Sequence, residues 1–185
     1  MDVINIIPQV GIGPFRLGMS KEEVERTFRN LDHWRDDDGN SNNPSYIEIL
    51  FMRENFEFDA NDRVKFIQLM NPHYYLSDFC IPCLFQGVDV FTTKAEVLIE
   101  SLRRTYPMLG DDDPRTGFSF VIQELEMSFC REGIMNDDLM KDMLFLQMSE
   151  ENQEIEKRYF YFTTVSIGTS GYFDFMENDI TESKS

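Results

Sequence analysis

Two short stretches of this chain follow the same pattern 73 positions apart. Residues 20–24 read SKEEV and residues 93–97 read TKAEV. In each stretch a Ser or Thr lies three positions before a Glu, which is the pattern of a helix capping box. The hydroxyl accepts a hydrogen bond from the amide of the Glu, and the Glu side chain accepts one from the amide of the Ser or Thr. The sequence therefore predicts two helices that begin at equivalent positions of an internally duplicated chain.

Apolar residues that follow the two caps are spaced as in one-sided helices. They recur mainly at intervals of three and four residues, the spacing that places side chains on one helix face. A helix with a single apolar stripe covers a sheet on one side. The stripes are Val24, Phe28 and Leu31 in the first helix, and Val97, Leu98, Leu102 and Tyr106, followed by Pro107, in the second.

Two further matches extend the duplication. Phe56 and Phe129 are again 73 positions apart. Residues 66–69 (FIQL) match residues 145–148 (FLQM) at a distance of 79, so the second copy would carry about six extra residues. The turn-rich stretch 133–138 is the expected place for them. The alternative is one mixed domain in which these similarities arose by chance.

Each half of the chain is predicted to contain a helix followed by strands, a pattern that favours an antiparallel sheet. We therefore expect the α+β class, with two tandem helix-plus-antiparallel-strand repeats that form one continuous antiparallel sheet with helices on one face. The predicted strands are 46–52, 55–58 and 64–70, with a turn at 59–62, and then 118–130 (with a possible break), 143–148 and 158–167. The expected boundaries are a first repeat at 1–76, a connector at 77–86, a second repeat at 87–176 and a flexible acidic tail at 177–185.

The stretch at residues 11–24 (GIGPFRLGMSKEEV) carries a family resemblance. Its core, Leu-Gly-Met-Ser-x-x-Glu-Val, resembles the opening of the β-lactamase-inhibitor-protein-like and outer-membrane-assembly lipoprotein (SmpA/OmlA) family. The second half has VFTT at 90–93 where the first has LGMS at 17–20, so the Gly-Met pair is absent there. The resemblance implies a concave sheet on a duplicated scaffold that grips another protein.

The charge of the chain restricts its partners. There are 34 acidic and 17 basic residues, a formal net charge of −17. Nucleic acid and anionic membranes require cationic contacts, so we expect neither as a partner, whereas a basic protein would be attracted. The N-terminal stretch does not resemble a secretory signal, and no apolar run reaches membrane-spanning length. With three cysteines, an odd and small number, we expect a soluble cytoplasmic protein with reduced thiols.

Two runs of three aspartates follow the two predicted helices and lie 75 positions apart. In equivalent loops they would present two negative patches on one rim, although charged runs are commonly just solvated loops. A Trp between the first helix and the first run is either an interface anchor or a lid on the core. The predicted partner-binding residues are therefore Asp36, Asp37, Asp38, Asp111, Asp112, Asp113 and Trp34.

Two motifs in the chain are similar to metal or redox sites. The loop that starts at Asp36 has alternating oxygen ligands, but Ser41 and Ile47 occupy positions where a calcium-binding EF-hand loop needs Gly and Glu. Cys80 and Cys83 form a C-x-x-C, which can be half of a zinc site or a redox pair. No second ligand pair accompanies it, so packing of a connector is favoured. We predict no metal and no cofactor.

Catalytic signatures are also absent from the sequence. It contains no nucleophile elbow, no phosphate-binding glycine motif and no zinc-protease motif, and it has only two histidines. The leading prediction is a non-catalytic protein-binding module, an immunity-type inhibitor that neutralises a basic protein through its acidic surface. The alternatives are a structural or self-assembling module and a carboxylate-based enzyme with a pocket between the repeats.

Overall fold

The computed structural model describes residues 3–31, 45–74 and 81–175 of the chain. These residues form an α+β fold with five helices and two sheets. The helices are α1 Lys21–Leu31, α2 Tyr46–Leu50, α3 Ala95–Arg103, α4 Met143–Leu146 and α5 Glu150–Lys157. None of the helices in this part of the chain is long and apolar enough to cross a membrane.

The strands belong to two separate sheets, so the prediction of one continuous antiparallel sheet is wrong. The larger sheet is antiparallel, in the order β4-β5-β11-β10-β9-β8, with strands Phe56–Phe58, Val64–Met70, Thr164–Gly168, Met127–Cys130, Ser119–Ile122 and Leu109–Gly110. The smaller sheet has the order β3-β2-β1-β6-β7, with strands Phe15–Arg16, Gly11–Ile12, Ile4–Ile7, Cys83–Phe85 and Val88–Asp89. Its β1 and β6 are parallel. Strands of two to four residues carry too little alternation to be read from sequence.

The capping box of α1 is confirmed. The Ser20 hydroxyl accepts a hydrogen bond from the Glu23 amide at 3.2 Å, and the Glu23 carboxylate accepts one from the Ser20 amide at 2.8 Å. The latter bond is the main reason why the pKa of Glu23 lies below its ordinary value. Val24 and Phe28 are buried and Leu31 is half-buried, as the apolar stripe predicted.

The second predicted capping box is wrong. Helix α3 begins at Ala95 after Lys94, and no side chain caps it. The Asp89 side chain organises the approach instead, because it accepts hydrogen bonds from the amides of Phe91 and Thr92 at 3.0 and 3.3 Å. The predicted stripe is also shifted. Val97 is 52% exposed, and Ile99 is buried beside Leu98 and Leu102.

Two apolar stretches that were predicted as strands are helical. Residues 46–52 contain α2, and residues 143–148 contain α4, whose first turn is capped by Asp142 accepting from the Leu144 amide at 2.8 Å. Short apolar runs fit a helix and a strand equally well, so periodicity does not separate them. Of the predicted strand 158–167, only residues 164–167 belong to a strand, β11, and Arg158–Phe160 is a 3-10 turn.

The other strand predictions are confirmed. Strand β5 has the predicted bounds, and residues 59–62 form the turn before it. The broken stretch 118–130 contains β9 and β10, which pair with each other. Strand β11 is central, because it lies between β5 and β10 and all five of its residues are buried.

One hydrophobic core joins both halves of the chain. Phe15 of β3 contacts Phe28, Phe51 and Phe56 with ring centroids 4.8–4.9 Å apart. The same core includes buried residues of α3, β10 and β11. Across the centre of the larger sheet, β5 and β11 pair in antiparallel register, with Ile67 opposite Ile167.

Both α1 and α3 follow a short hairpin at matching distances. The turn between β2 and β3 lies at residues 13–14 and the turn between β6 and β7 at residues 86–87, again 73 apart. Phe56 in β4 and Phe129 in β10 are both buried. The duplication itself stays a prediction, as do the repeat boundaries.

Candidate binding surface

The second aspartate run holds its own loop in place. The Asp111 carboxylate accepts hydrogen bonds from the amides of Phe118 and Ser119 at 2.6 and 3.0 Å. The Asp113 carboxylate accepts one from the Arg115 amide at 2.8 Å and pairs with the Arg115 guanidinium at 3.2 Å. These bonds lower the pKa of Asp113. Two of the three carboxylates therefore have a structural role that the sequence did not reveal.

Positive charge also lies against this loop. Arg103 donates hydrogen bonds to the backbone carbonyls of Asp111 and Asp112. Asp111 and Asp112 are both exposed, and Asp113 is half-buried. Arg103 and Arg115 reduce the local negative charge, which makes this loop a weaker electrostatic target than its sequence indicates.

Several predicted site residues lie outside the described residues. They are Trp34, Asp36, Asp37, Asp38 and Cys80. The proximity of the two aspartate runs therefore stays a prediction. Cys83 is described and is buried, and burial raises the pKa of its thiol, as expected for a packing residue.

A long connection between β10 and β11 is the main feature that the sequence analysis missed. It spans residues 131–163, which is 33 residues, whereas five residues connect β4 to β5. We refer to residues 131–163 as the excursion. It contains α4 and α5, and it is much longer than the insertion of about six residues that the repeat alignment predicted.

The excursion has a small core of its own. Met135, Phe145 and Phe160 are buried together, separately from the main core, with Tyr159 packed against them. The Met135 amide donates a hydrogen bond to the Tyr159 carbonyl at 3.2 Å. Of the four residues of α4, only Phe145 is buried. The other three therefore point away from this core.

The excursion exposes many large apolar side chains. Within 17 residues it carries six of the twelve exposed large apolar side chains of the described chain. Leu144 is 73% exposed and Met143 is 67% exposed. Such concentration is unusual for a protein surface and is typical of an interaction site. We call these six residues the apolar patch, and they are Leu139, Met143, Leu144, Leu146, Met148 and Ile155.

Acidic residues are interspersed along the chain with the residues of the apolar patch. Residues 132–157 contain eight acidic residues and two lysines, a formal charge of −6. Both lysines are paired within the excursion, Lys141 with Asp138 at 3.0 Å and Lys157 with Glu154 at 2.5 Å. Glu150 and Glu151 are exposed in the first turn of α5. The patch therefore belongs to a strongly acidic segment, and we call the carboxylates of residues 132–157 its acidic rim.

A cleft of about 590 Å³ opens where the excursion meets the rest of the molecule. Three distant segments line it, at residues 71–74, 91–94 and 154–161. Its aromatic lining is Tyr74, Phe91, Phe160 and Tyr161, and its basic lining is His73, Lys94, Lys157 and Arg158. A sequence signal for this site exists, because Arg158 lies next to the aromatic run at 159–162. The same run is also typical of a strand, and only the strand is predicted from it.

Within residues 3–31, 45–74 and 81–175, no group of three His, Cys, Asp or Glu side chains could hold a metal ion.

No match was found for this chain among protein-family models, curated proteins or solved structures. The assignment of a function therefore depends on the surfaces described above.

Proposed function

We propose that this chain is a non-catalytic protein-binding module that docks a basic, amphipathic segment of a partner protein on the excursion. The observation that carries this proposal is the apolar patch with its acidic rim. Methionine and leucine side chains adapt to varied apolar surfaces, and a ring of carboxylates selects a cationic one. An amphipathic helix with basic flanks provides both kinds of contact.

Binding to this surface would depend on apolar contacts as well as on net charge. Burial of one fully exposed Leu or Met side chain contributes about 1.5–3 kcal/mol. The carboxylates of the rim mainly accelerate association and select the partner. An immunity-type inhibitor that neutralises a basic protein is one biological use of such a surface, and the duplicated scaffold implied by the family resemblance would suit that use.

The acidic rim argues against a second copy of this chain as the occupant. Two excursions that met face to face would bring together two copies of residues 132–157, each with a formal charge of −6. Like charges across an interface are destabilising, so self-assembly through this surface is disfavoured. A carboxylate-based enzyme receives little support either. The lining of the cleft includes one carboxylate, Glu154, which is paired with Lys157.

The test uses the purified chain and two synthetic 18-residue helical peptides, one of Leu and Lys and one of Leu and Glu. We expect the Leu/Lys peptide to bind, more weakly as salt rises, and the Leu/Glu peptide not to bind. Met143→Ser with Leu144→Ser leaves the charge unchanged and should weaken binding at least tenfold in fluorescence anisotropy.

The matched control is Val97→Ser with Phe118→Ser, which removes two exposed apolar side chains from other parts of the surface. We expect this variant to bind like the unmodified chain. Equal weakening in both variants would show that the peptide binds any exposed apolar surface, and weakening in neither would show attraction by net charge alone. Either result would refute the docking site. A dimer of the chain that the Met143→Ser/Leu144→Ser variant dissociates would identify a second copy as the occupant and refute the basic partner.

A further inference from the structure

Basic side chains line the cleft, although the molecule as a whole is strongly acidic. Lys94, Lys157 and Arg158 line it together with one carboxylate, Glu154, in a chain of net charge −17. Its volume of about 590 Å³ is in the range of small-molecule sites. Lys94 also pairs with Asp137, so three cations face two carboxylates and the local charge is +1 in a molecule whose acidic exterior repels anions.

The cations of the cleft are available to a ligand. Arg158 has an exposed side chain, and no described carboxylate pairs with it. A guanidinium binds a phosphate or carboxylate group through two parallel hydrogen bonds. Lys94 and Lys157 pair with Asp137 and Glu154, whose side chains are 67% and 72% exposed. Such exposed ion pairs contribute little free energy, so an incoming anion can replace the carboxylates.

The aromatic side of the cleft is firmly positioned. Phe91 and Phe160 are buried, and the Lys94 ammonium lies 4.1 Å from the centre of the Phe160 ring. The Tyr74 hydroxyl donates a hydrogen bond to the Arg158 carbonyl at 3.3 Å, which ties two of the three lining segments together. The site therefore exists before any ligand arrives, which reduces the entropic cost of binding.

The region beneath the cleft is also fixed by hydrogen bonds. The Asn71 amide group donates to the Phe162 carbonyl at 2.7 Å, and its oxygen accepts from the His73 amide at 2.9 Å. Asn71 is 1% exposed, so these bonds are made in the interior. They hold the end of β5 against the end of the excursion, on either side of the cleft.

We propose that the cleft binds an aromatic anion of nucleotide size. The planar ring would lie against the half-buried Tyr74 and Tyr161. The phosphate or carboxylate group would be held by Arg158 with Lys94 and Lys157. Rings favour offset or edge contacts with aromatic side chains, and the anion would pair with Arg158 and replace the exposed carboxylates on Lys94 and Lys157. This site is distinct from the apolar patch and does not depend on the docking of a partner.

The test measures binding of four probes by isothermal titration calorimetry or by NMR chemical shifts at low salt. Adenosine 5′-monophosphate carries a ring and a phosphate, and 2-naphthoate carries a ring and a carboxylate. Adenosine has the ring alone, and inorganic phosphate has the anion alone. We expect at least one of the ring-bearing anions to bind tenfold more tightly than adenosine and inorganic phosphate, and the better of the two identifies the anionic group.

Arg158→Gln should weaken binding of that probe at least tenfold. The matched control is Arg104→Gln, which removes the same charge from an exposed arginine outside the cleft lining and should change affinity less than twofold. Circular dichroism checks that both variants are folded. Lack of binding by both ring-bearing anions, equal binding of adenosine, or equal weakening by the two variants would overturn the proposal.

Discussion

Ser20 and Thr93 occupy matching positions before the two main helices but differ in what their hydroxyls do. The Ser20 hydroxyl accepts from the Glu23 amide, whereas α3 has no side-chain cap. We expect Ser20→Ala to lower the free energy of unfolding by about 1 kcal/mol, the usual effect of removing an N-cap. Thr93→Ala should change it by less than about 0.5 kcal/mol. Urea unfolding of both variants checks this, and equal effects would contradict the observed caps.

The Glu23 carboxylate of the same cap predicts that the stability of the protein depends on pH. The pKa of Glu23 is lowered from its ordinary value of 4.5, first by the hydrogen bond from the Ser20 amide. Its charged form therefore stabilises the fold above the ordinary pKa, and this contribution is lost as pH falls through the lowered value. Glu23→Gln should be less stable than the unmodified chain at pH 7, and the difference should shrink towards pH 3. A difference that does not vary with pH would exclude the charge as its cause.

Cys83 provides a chemical test of burial at a single residue. Burial raises the pKa of its thiol, and only the thiolate reacts rapidly with alkylating or disulfide reagents. In a variant that retains Cys83 alone, we expect labelling at pH 8 to be at least a hundredfold slower in the native protein than in urea. A variant that retains only Cys130, which is half-buried, should show a smaller protection. Rapid native labelling of Cys83 would contradict its packing role.

At the scale of elements, the excursion depends on one buried side chain of α4. Phe145 is 5% exposed and belongs to the small core with Met135 and Phe160. Phe145→Ala should remove about 3 kcal/mol of packing free energy. Since this core is separate from the main one, we expect local loosening of residues 131–163, seen as faster hydrogen exchange, while β5 and β10 stay protected. Uniform loss of protection would show that the excursion and the sheet unfold together.

Short sequence patterns correctly predicted those helices and strands that depend on interactions between nearby residues. The start of α1 follows from the Ser20–Glu23 cap, and β5 follows from its apolar run and the turn at 59–62. Long-range pairing was not predictable, because nothing in the sequence near Ile4 indicates that its partner is Cys83. The same holds for the cleft, since its lining comes from three segments that only the tertiary structure brings together. The excursion was missed because the match of residues 145–148 to 66–69 took a helix for a strand.

At the scale of the whole molecule, pairing between the halves determines how the chain can be divided. In the smaller sheet β1 of the first half pairs with β6, and in the larger sheet β5 pairs with β11 of the second half. Both halves also contribute to one hydrophobic core. The predicted first repeat is therefore joined to the rest of the chain along two sheets, although matching hairpins precede the two helices.

Because the two halves share strand pairing and one hydrophobic core, we expect that neither half folds alone. A fragment of residues 1–76 would expose the whole edge of β5 and the apolar side chains that pack against the second half, including Ile67 and Leu69. We expect circular dichroism and NMR of this fragment, and of residues 77–185, to show unfolded chains. Mixing them at equal concentration should restore the native spectrum, and the intact chain should unfold in one transition. A folded, cooperatively melting 1–76 fragment would instead establish two independent domains, and the shared core would then be an interface between them.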